Sequence, residues 1–270
     1  VKALSRSIDG APFDSATPGD IGAVVITGQV DMARSSSGGT QNANGGLLYV
    51  PFGRDGLSYA HNSTNPAFDN IDQATLKGIF EGTITTIGGE PVVPVIPQAG
   101  SGTRKDFISK IGSTEAAVQA QVNAGVVKVG QEHDTRALQD GSPMPANSVT
   151  AMSAAQWVAQ NTGAGQDRRG AGFKIGSPIA GVPAVTGEGT SMLPNAAFYA
   201  DSTWGRNTFI IVENARVTPG DAKYDPKLAN LVSSGKLANH TSIPTAAGAV
   251  KQKYGFLAPS TTTAFRVNLS

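Results

Sequence analysis

Short β-rich runs that end in a Gly/Ser turn and lead into a helical stretch recur along this chain, and that alternation most limits its fold. The clearest case is the apolar run at 91–97, which feeds Gly100-Ser101-Gly102-Thr103 and then a helix expected over 104–111. Strands are expected at 29–33, ending in the turn Arg34-Ser35-Ser36-Ser37, and at 46–52, 126–129 and 207–212. Helices are expected over 70–82, where Leu76, Ile79 and Phe80 have helical spacing and Gly82 stops the run, and over 113–124 and 227–232. Ser153-Ala154-Ala155-Gln156 is a capping box opening a helix through Gln160, and Thr17-Pro18-Gly19-Asp20 carries start signals for a helix over 21–27. Residues 163–190 read as a long irregular excursion rich in Gly, Pro and Ala. Strands alternating with helices predict an α/β fold with mixed or mostly parallel sheets.

Composition narrows the function more than the fold. Lys and Arg total 21 against 20 Asp and Glu, a net charge of +1, so no long-range field points to nucleic acid or an anionic membrane. Cysteine is absent, which excludes a disulfide framework, a thiolate metal site and a thiol nucleophile. No apolar run approaches the roughly 18–20 residues of a membrane span. Residues 1–15 read as the middle of a longer chain, from a processed or truncated product.

The strongest chemical signal is Ser101-Gly102-Thr103-Arg104. Glycine lets the backbone approach a ligand closely, the exposed N–H groups of a helix start point at it, and the helix dipole favours an anion there. Ser101 and Thr103 add hydroxyls, and Arg104 a guanidinium able to pair with an oxyanion. A plain N-cap after a tight turn explains the same residues. The Lys and spacing of a nucleotide phosphate loop are missing. Ser35 and Ser36 form a second polar turn after a strand, with a solvated loop as the plainer reading. Gln131-Glu132-His133-Asp134 suggests a metal or a general base. Neighbours on an extended chain face opposite ways, however, and the other histidines, His61 and His240, are remote in sequence. A structural hydrogen-bonded cluster is expected there, and no metal. Arg54-Asp55 and Asp167-Arg168-Arg169 read as surface ion pairs, and Trp157 as core. No Gly-x-Ser-x-Gly elbow occurs.

In order, Asp31-Met32-Ala33-Arg34-Ser35-Ser36, Tyr49-Val50-Pro51-Phe52-Gly53-Arg54-Asp55-Gly56-Leu57, the 74–82 segment and Gln98-Ala99-Gly100-Ser101-Gly102-Thr103-Arg104 resemble the phosphate-binding protein of phosphate ABC transporters. The 131–134 and 156–170 segments resemble a high-GC Gram-positive branch of that family. The resemblance covers about residues 17 to 258. It implies a two-lobed, hinged periplasmic-binding-protein type II fold with crossovers near Tyr59 and Thr208. Lobe I would be 1–58 plus 207–270, and lobe II 59–206.

By matching motifs, Ser101, Gly102 and Thr103 would donate to phosphate from lobe II and Ser35 and Ser36 from lobe I. Arg104 would be the neutralising cation, with Arg34 a second candidate. The chain departs from the family in three places. It starts after the family's first strand, the lobe I acid that accepts the phosphate proton is replaced by Ser35-Ser36, and an arginine four residues before the loop serine is Pro97. An acceptor-free site would bind fully ionised sulfate at least as well as phosphate.

The resemblance implies a monomeric, non-enzymatic protein without cofactor that captures phosphate or a related oxyanion for a membrane ABC permease. It would sit outside the cell, attached to the envelope as a lipoprotein. The alternative is the same fold kept as a scaffold or surface module of a larger envelope protein with a weakened or lost anion site. His133 and Asp134 alone motivate a phosphoryl- or sulfuryl-transfer reading.

Overall fold

The computed structural model describes residues 1–14, 22–233 and 246–270. The chain divides into two compact units: Val1–Arg54, Asn207–Lys251 and Leu257–Ser270 form the first, Asp55–Arg206 and Gln252–Phe256 the second. In order, the main elements are α1 (Lys2–Asp9), β1 (Met32–Ser35), β2 (Leu47–His61), α2 (Gln73–Phe80), β3 (Val93–Pro97), α3 (Gly102–Lys110) and α4 (Glu115–Asn123). They continue with β4 (Lys128–Gly130), β5 (Ser148–Ser153), α5 (Ala154–Asn161), β6 (Gly205–Glu213), α6 (Pro226–Val232), α7 (Ala246–Lys253) and β7 (Phe265–Val267). Two strands run from one unit into the other: β2 at Arg54 and Asp55, β6 at Arg206 and Asn207.

In the first unit, β6 lies between β1 and β2, and β7 adds antiparallel to β2 with Phe265 opposite Tyr49. Tyr49 stacks on Phe265 at 5.4 Å between centroids and meets Phe209 edge-on at 5.8 Å. These rings join Leu47, Ile211 and Val267 in one core, onto which α1 lays Leu4 and, one turn on, Ile8. The helix stops at Gly10, whose φ of 75° is left-handed. No helix was expected in these first residues, because one apolar pair in an eight-residue polar segment is a faint signal. Thr17, Pro18, Gly19, Asp20 and Ile21 of the expected 21–27 helix lie outside the described residues. The described remainder is not helical, and Val24 forms an antiparallel bridge to Phe13. Three β-branched residues in a row, Val24, Val25 and Ile26, favour that extended backbone.

In the second unit, β3 lies between β4 and β5 and is parallel to both, while β2 joins β5 antiparallel, so the sheet is mixed. All six residues of β5 are buried, as a strand covered on both faces requires. The strand expected at 46–52 runs on to His61 because Gly53, Arg54, Asp55 and Gly56 continue it. The excursion at 163–190 holds only the two-residue strands Lys174–Ile175 and Val185–Thr186 and the start of a 3-10 turn, Gly189–Ser191. Trp157 is core, as expected, with Arg169 5.6 Å from its ring.

Leu4 is 1% exposed, so Leu4→Ala leaves a cavity between α1 and the sheet. It is expected to cost about 2–4 kcal/mol of unfolding free energy in urea titrations.

Candidate functional site

The site grows from the end of β3. The carbonyl of Gln98 accepts the Ser101 N–H at 3.2 Å, and Gly100, at φ 84°, makes the turn that a side chain would strain. Ser101 is the N-cap of α3, its Oγ accepting the Arg104 N–H at 3.1 Å. The N–H groups of Gly102 and Thr103, first in the helix, have no intrahelical acceptor and lie at the positive end of its dipole. Ser101 and Thr103 are buried, and Gly102 is exposed.

Two other segments of the same unit reach Thr103. From the start of β6, Arg206 donates to its Oγ1 at 3.4 Å; from the turn after β4, His133 brings Nε2 to 3.4 Å. Arg206 is held on both sides. Nε and one terminal nitrogen donate to Asp55 Oδ2 at 3.0 and 2.9 Å, and the other terminal nitrogen to Asp106 at 2.9 Å. Asp55 in turn accepts from the Ser153 hydroxyl at 2.9 and 2.8 Å and from the Ala155 N–H at 3.0 Å, the cap of α5. Burial alone would lower the pKa of Arg206, but Asp55 and Asp106 outweigh it and hold the guanidinium charged. Surface ion pairing, expected for Arg54-Asp55, is thus corrected: Asp55 is 2% exposed, and Arg54 donates to Asn207 and Ser260 instead.

Glu132 completes the cluster. Burial pushes its carboxyl up, but His133, the hydroxyl and N–H of Thr103, and Arg206 more than offset this and hold it below its ordinary value. The 131–134 segment is a turn rather than an extended run, with His133 at φ 60°, and His133 Nε2 reaches Thr103 Oγ1. Asp134 faces Arg136. Glu132 Oε1 lies 3.4 Å from His133 Nε2, which adds a carboxylate to this neighbourhood. Among the described residues no cluster fits a metal ion, and no helix is long and apolar enough to cross a membrane.

The expected donors thus divide. Ser101, Gly102 and Thr103 form one edge. The Arg104 guanidinium turns elsewhere, donating to Glu115 at 2.8 and 2.5 Å, to Gln119 at 2.8 Å and to the Pro97 carbonyl at 3.2 Å. The cation beside Thr103 is Arg206, with no motif around it in sequence beyond its place before a buried strand. Arg34, Ser35 and Ser36 belong to the first unit. Ser35 Oγ donates to the Ser37 carbonyl at 2.8 Å and accepts its N–H at 3.2 Å, a local turn, and Arg34 is exposed.

Removing one partner of a buried pair strands the other, so Asp55→Ala is expected to cost about 3–5 kcal/mol in denaturant unfolding. Because Glu132 is lowered in the folded protein, its stabilisation is complete at neutral pH. It is lost as pH falls from 4.5 through the lower folded value. Unfolding of Glu132→Gln, followed from pH 7 to pH 3.5, is expected to lack that part of the acid-side loss.

No curated protein matches the sequence. In fold, the chain is similar to a protein from Clostridium perfringens, solved with phosphate and assigned as a phosphate ABC transporter substrate-binding protein. That match has a TM-score of 0.50 and 14% identity over 86% of this chain and 80% of that one. An ABC-type phosphate transport receptor from Vibrio cholerae matches at TM-score 0.48 and 18% identity, over 86% and 81%. The first likeness is one of fold, the mixed α/β architecture of two-lobed binding proteins. Residues 19–224 match the model of the PBP superfamily domain, and the chain belongs to that superfamily.

Proposed function

We propose that this protein is an extracytoplasmic solute-binding protein that captures phosphate, or a similar tetrahedral oxyanion, and hands it to an ABC permease. The observation that carries the reading is the start of α3 in a PBP-superfamily chain: hydroxyls and N–H groups of Ser101, Gly102 and Thr103 beside the buried Arg206. The similar Clostridium perfringens protein, solved with phosphate, supports it. Arg206 serves as the cation of the site. The Arg34, Ser35 and Ser36 turn is proposed as the source of donors from the first unit. Attachment to the envelope as a lipoprotein, a monomeric state and a place in the high-GC Gram-positive branch belong to the same proposal.

Arg206 already satisfies two carboxylates, so recognition rests on hydrogen bonds and the helix dipole rather than on spare positive charge. Charge-assisted hydrogen bonds contribute about 1.5–3 kcal/mol each, and about 8 kcal/mol net corresponds to a micromolar constant. A few surviving donors suffice for that. The same two carboxylates favour a second reading: a scaffold or surface module of a larger protein, its anion site weakened or lost.

Calorimetric titration with phosphate at neutral pH and low salt separates the two. Micromolar binding, weakened about tenfold or more by Thr103→Val, is expected. Arg104→Ala is expected to lower stability while leaving affinity within a few-fold. No heat with phosphate or sulfate on folded protein would sink capture and leave the scaffold reading.

A further inference from the structure

The irregular excursion at 163–190 folds round a cavity of about 370 Å³ in the second unit. Ile175, Val182, Ala184 and Val185 give it apolar walls, and Asp69, just past the 3-10 turn Pro66–Phe68, adds a carboxylate. Its frame is fixed by hydrogen bonds. The Ser177 N–H donates to the Asp69 carbonyl at 2.9 Å, and the Ser177 hydroxyl to the Val182 carbonyl at 2.5 Å. Asn195 Nδ2 donates to the Pro183 carbonyl at 2.7 Å. The Gly176 N–H donates to the Tyr59 carbonyl at 2.9 Å, and a Cβ on Gly176 would come within 2.3 Å of the Tyr59 ring. The walls are thus in place before any ligand arrives, and a preorganised site loses less binding free energy to ordering.

Asp69 decides what such a cavity would take. Its side chain is 44% exposed, and its ion-pair contact is with His61 Nε2 at 3.1 Å. His61 is fully buried beside the rings of Tyr59 and Phe68, with centroids at 6.2 and 6.0 Å, and neither of its ring nitrogens makes a hydrogen bond. Burial holds the imidazole below its ordinary pKa, so at pH 7 it is neutral and leaves the Asp69 charge unbalanced. Among the described residues no lysine or arginine pairs with Asp69; Lys174, opposite His61 in register, does not reach it. A carboxylate beside apolar walls, with no cation of its own, is complementary to a ligand that brings positive charge and apolar surface together. We propose that this cavity is a binding site for a small organic ammonium ion, its apolar body against Val182 and Val185 and its charge on Asp69. The proposal is independent of oxyanion capture, since the cavity shares no residue with the start of α3.

The test is calorimetry at pH 7 with three ligands of similar shape: tryptamine, a cation; tryptophol, its neutral hydroxyl counterpart; and indole-3-acetate, an anion. Tryptamine is expected to bind about tenfold tighter than tryptophol, the ratio that one charge-assisted hydrogen bond supplies, and indole-3-acetate more weakly than either. Asp69→Asn keeps the backbone carbonyl that holds Ser177 and is expected to bring tryptamine down to the level of tryptophol. In amide NMR spectra, tryptamine is expected to move the Val182 and Ala184 resonances. No binding of tryptamine to the folded protein, equal binding of tryptamine and tryptophol, or a preference that survives in Asp69→Asn would each overturn the proposal. Binding that leaves the Val182 and Ala184 amides unmoved would overturn it as well. The comparison of tryptamine with tryptophol uses the native protein alone, so it decides the matter even where Asp69→Asn fails to fold.

Discussion

The ion pair between Asp55 and Arg206 is the interaction on which the second unit's polar centre depends. Each residue is the first or last of that unit on a strand shared with the other unit, Asp55 on β2 and Arg206 on β6. The pair therefore joins the two strands at the point where each passes into the unit. It also reaches outward: Asp55 caps α5 through Ser153 and Ala155, and Arg206 reaches Asp106 and Thr103 on α3. Two helices and two strands are positioned by one guanidinium and one carboxylate, both nearly removed from water. In that environment neither charge is tolerable alone.

A consequence is that the site's cation is not a free charge waiting for a ligand. The helix start supplies partial charge in fixed positions, and the hydroxyls of Ser101 and Thr103 supply directional donors. Arg104, by contrast, spends its guanidinium on Glu115, Gln119 and the Pro97 carbonyl, bracing α3 against α4 and the end of β3. Adjacent residues on the first turn of a helix point in directions about 100° apart, so Thr103 and Arg104 serve different neighbours despite standing side by side in the motif.

How much of this was legible in the sequence follows the range of the interactions. The alternation of strands and helices, the turn at Gly100 and the caps at Ser101 and Ser153 are local, and they could be read from neighbouring residues. The Ser101-Gly102-Thr103 edge was legible for the same reason. Arg206 was not, because it meets Asp55 across 151 positions of chain and nothing beside either residue announces the other. The Arg54-Asp55 pair inside an otherwise apolar strand was the available clue, since a carboxylate in such a run needs a partner. Extended backbone is the local expectation at 131–134, whereas the left-handed His133 makes the segment a turn; the hydrogen-bonded cluster expected there is formed through Gln98, Thr103 and Gln160. Likewise, α1 depends on a sheet assembled from distant strands, and its own eight residues carry little periodic signal.

The burial of Arg206 also bears on how such a site would respond to its medium. Mobile ions screen exposed charges over about 8–10 Å at physiological strength, but reach buried pairs far less. A net charge of +1 offers no field to steer anions inward from a distance. The pairing of Asp55 with Arg206 would then be nearly insensitive to salinity. Fresh water and brine would find the same protein.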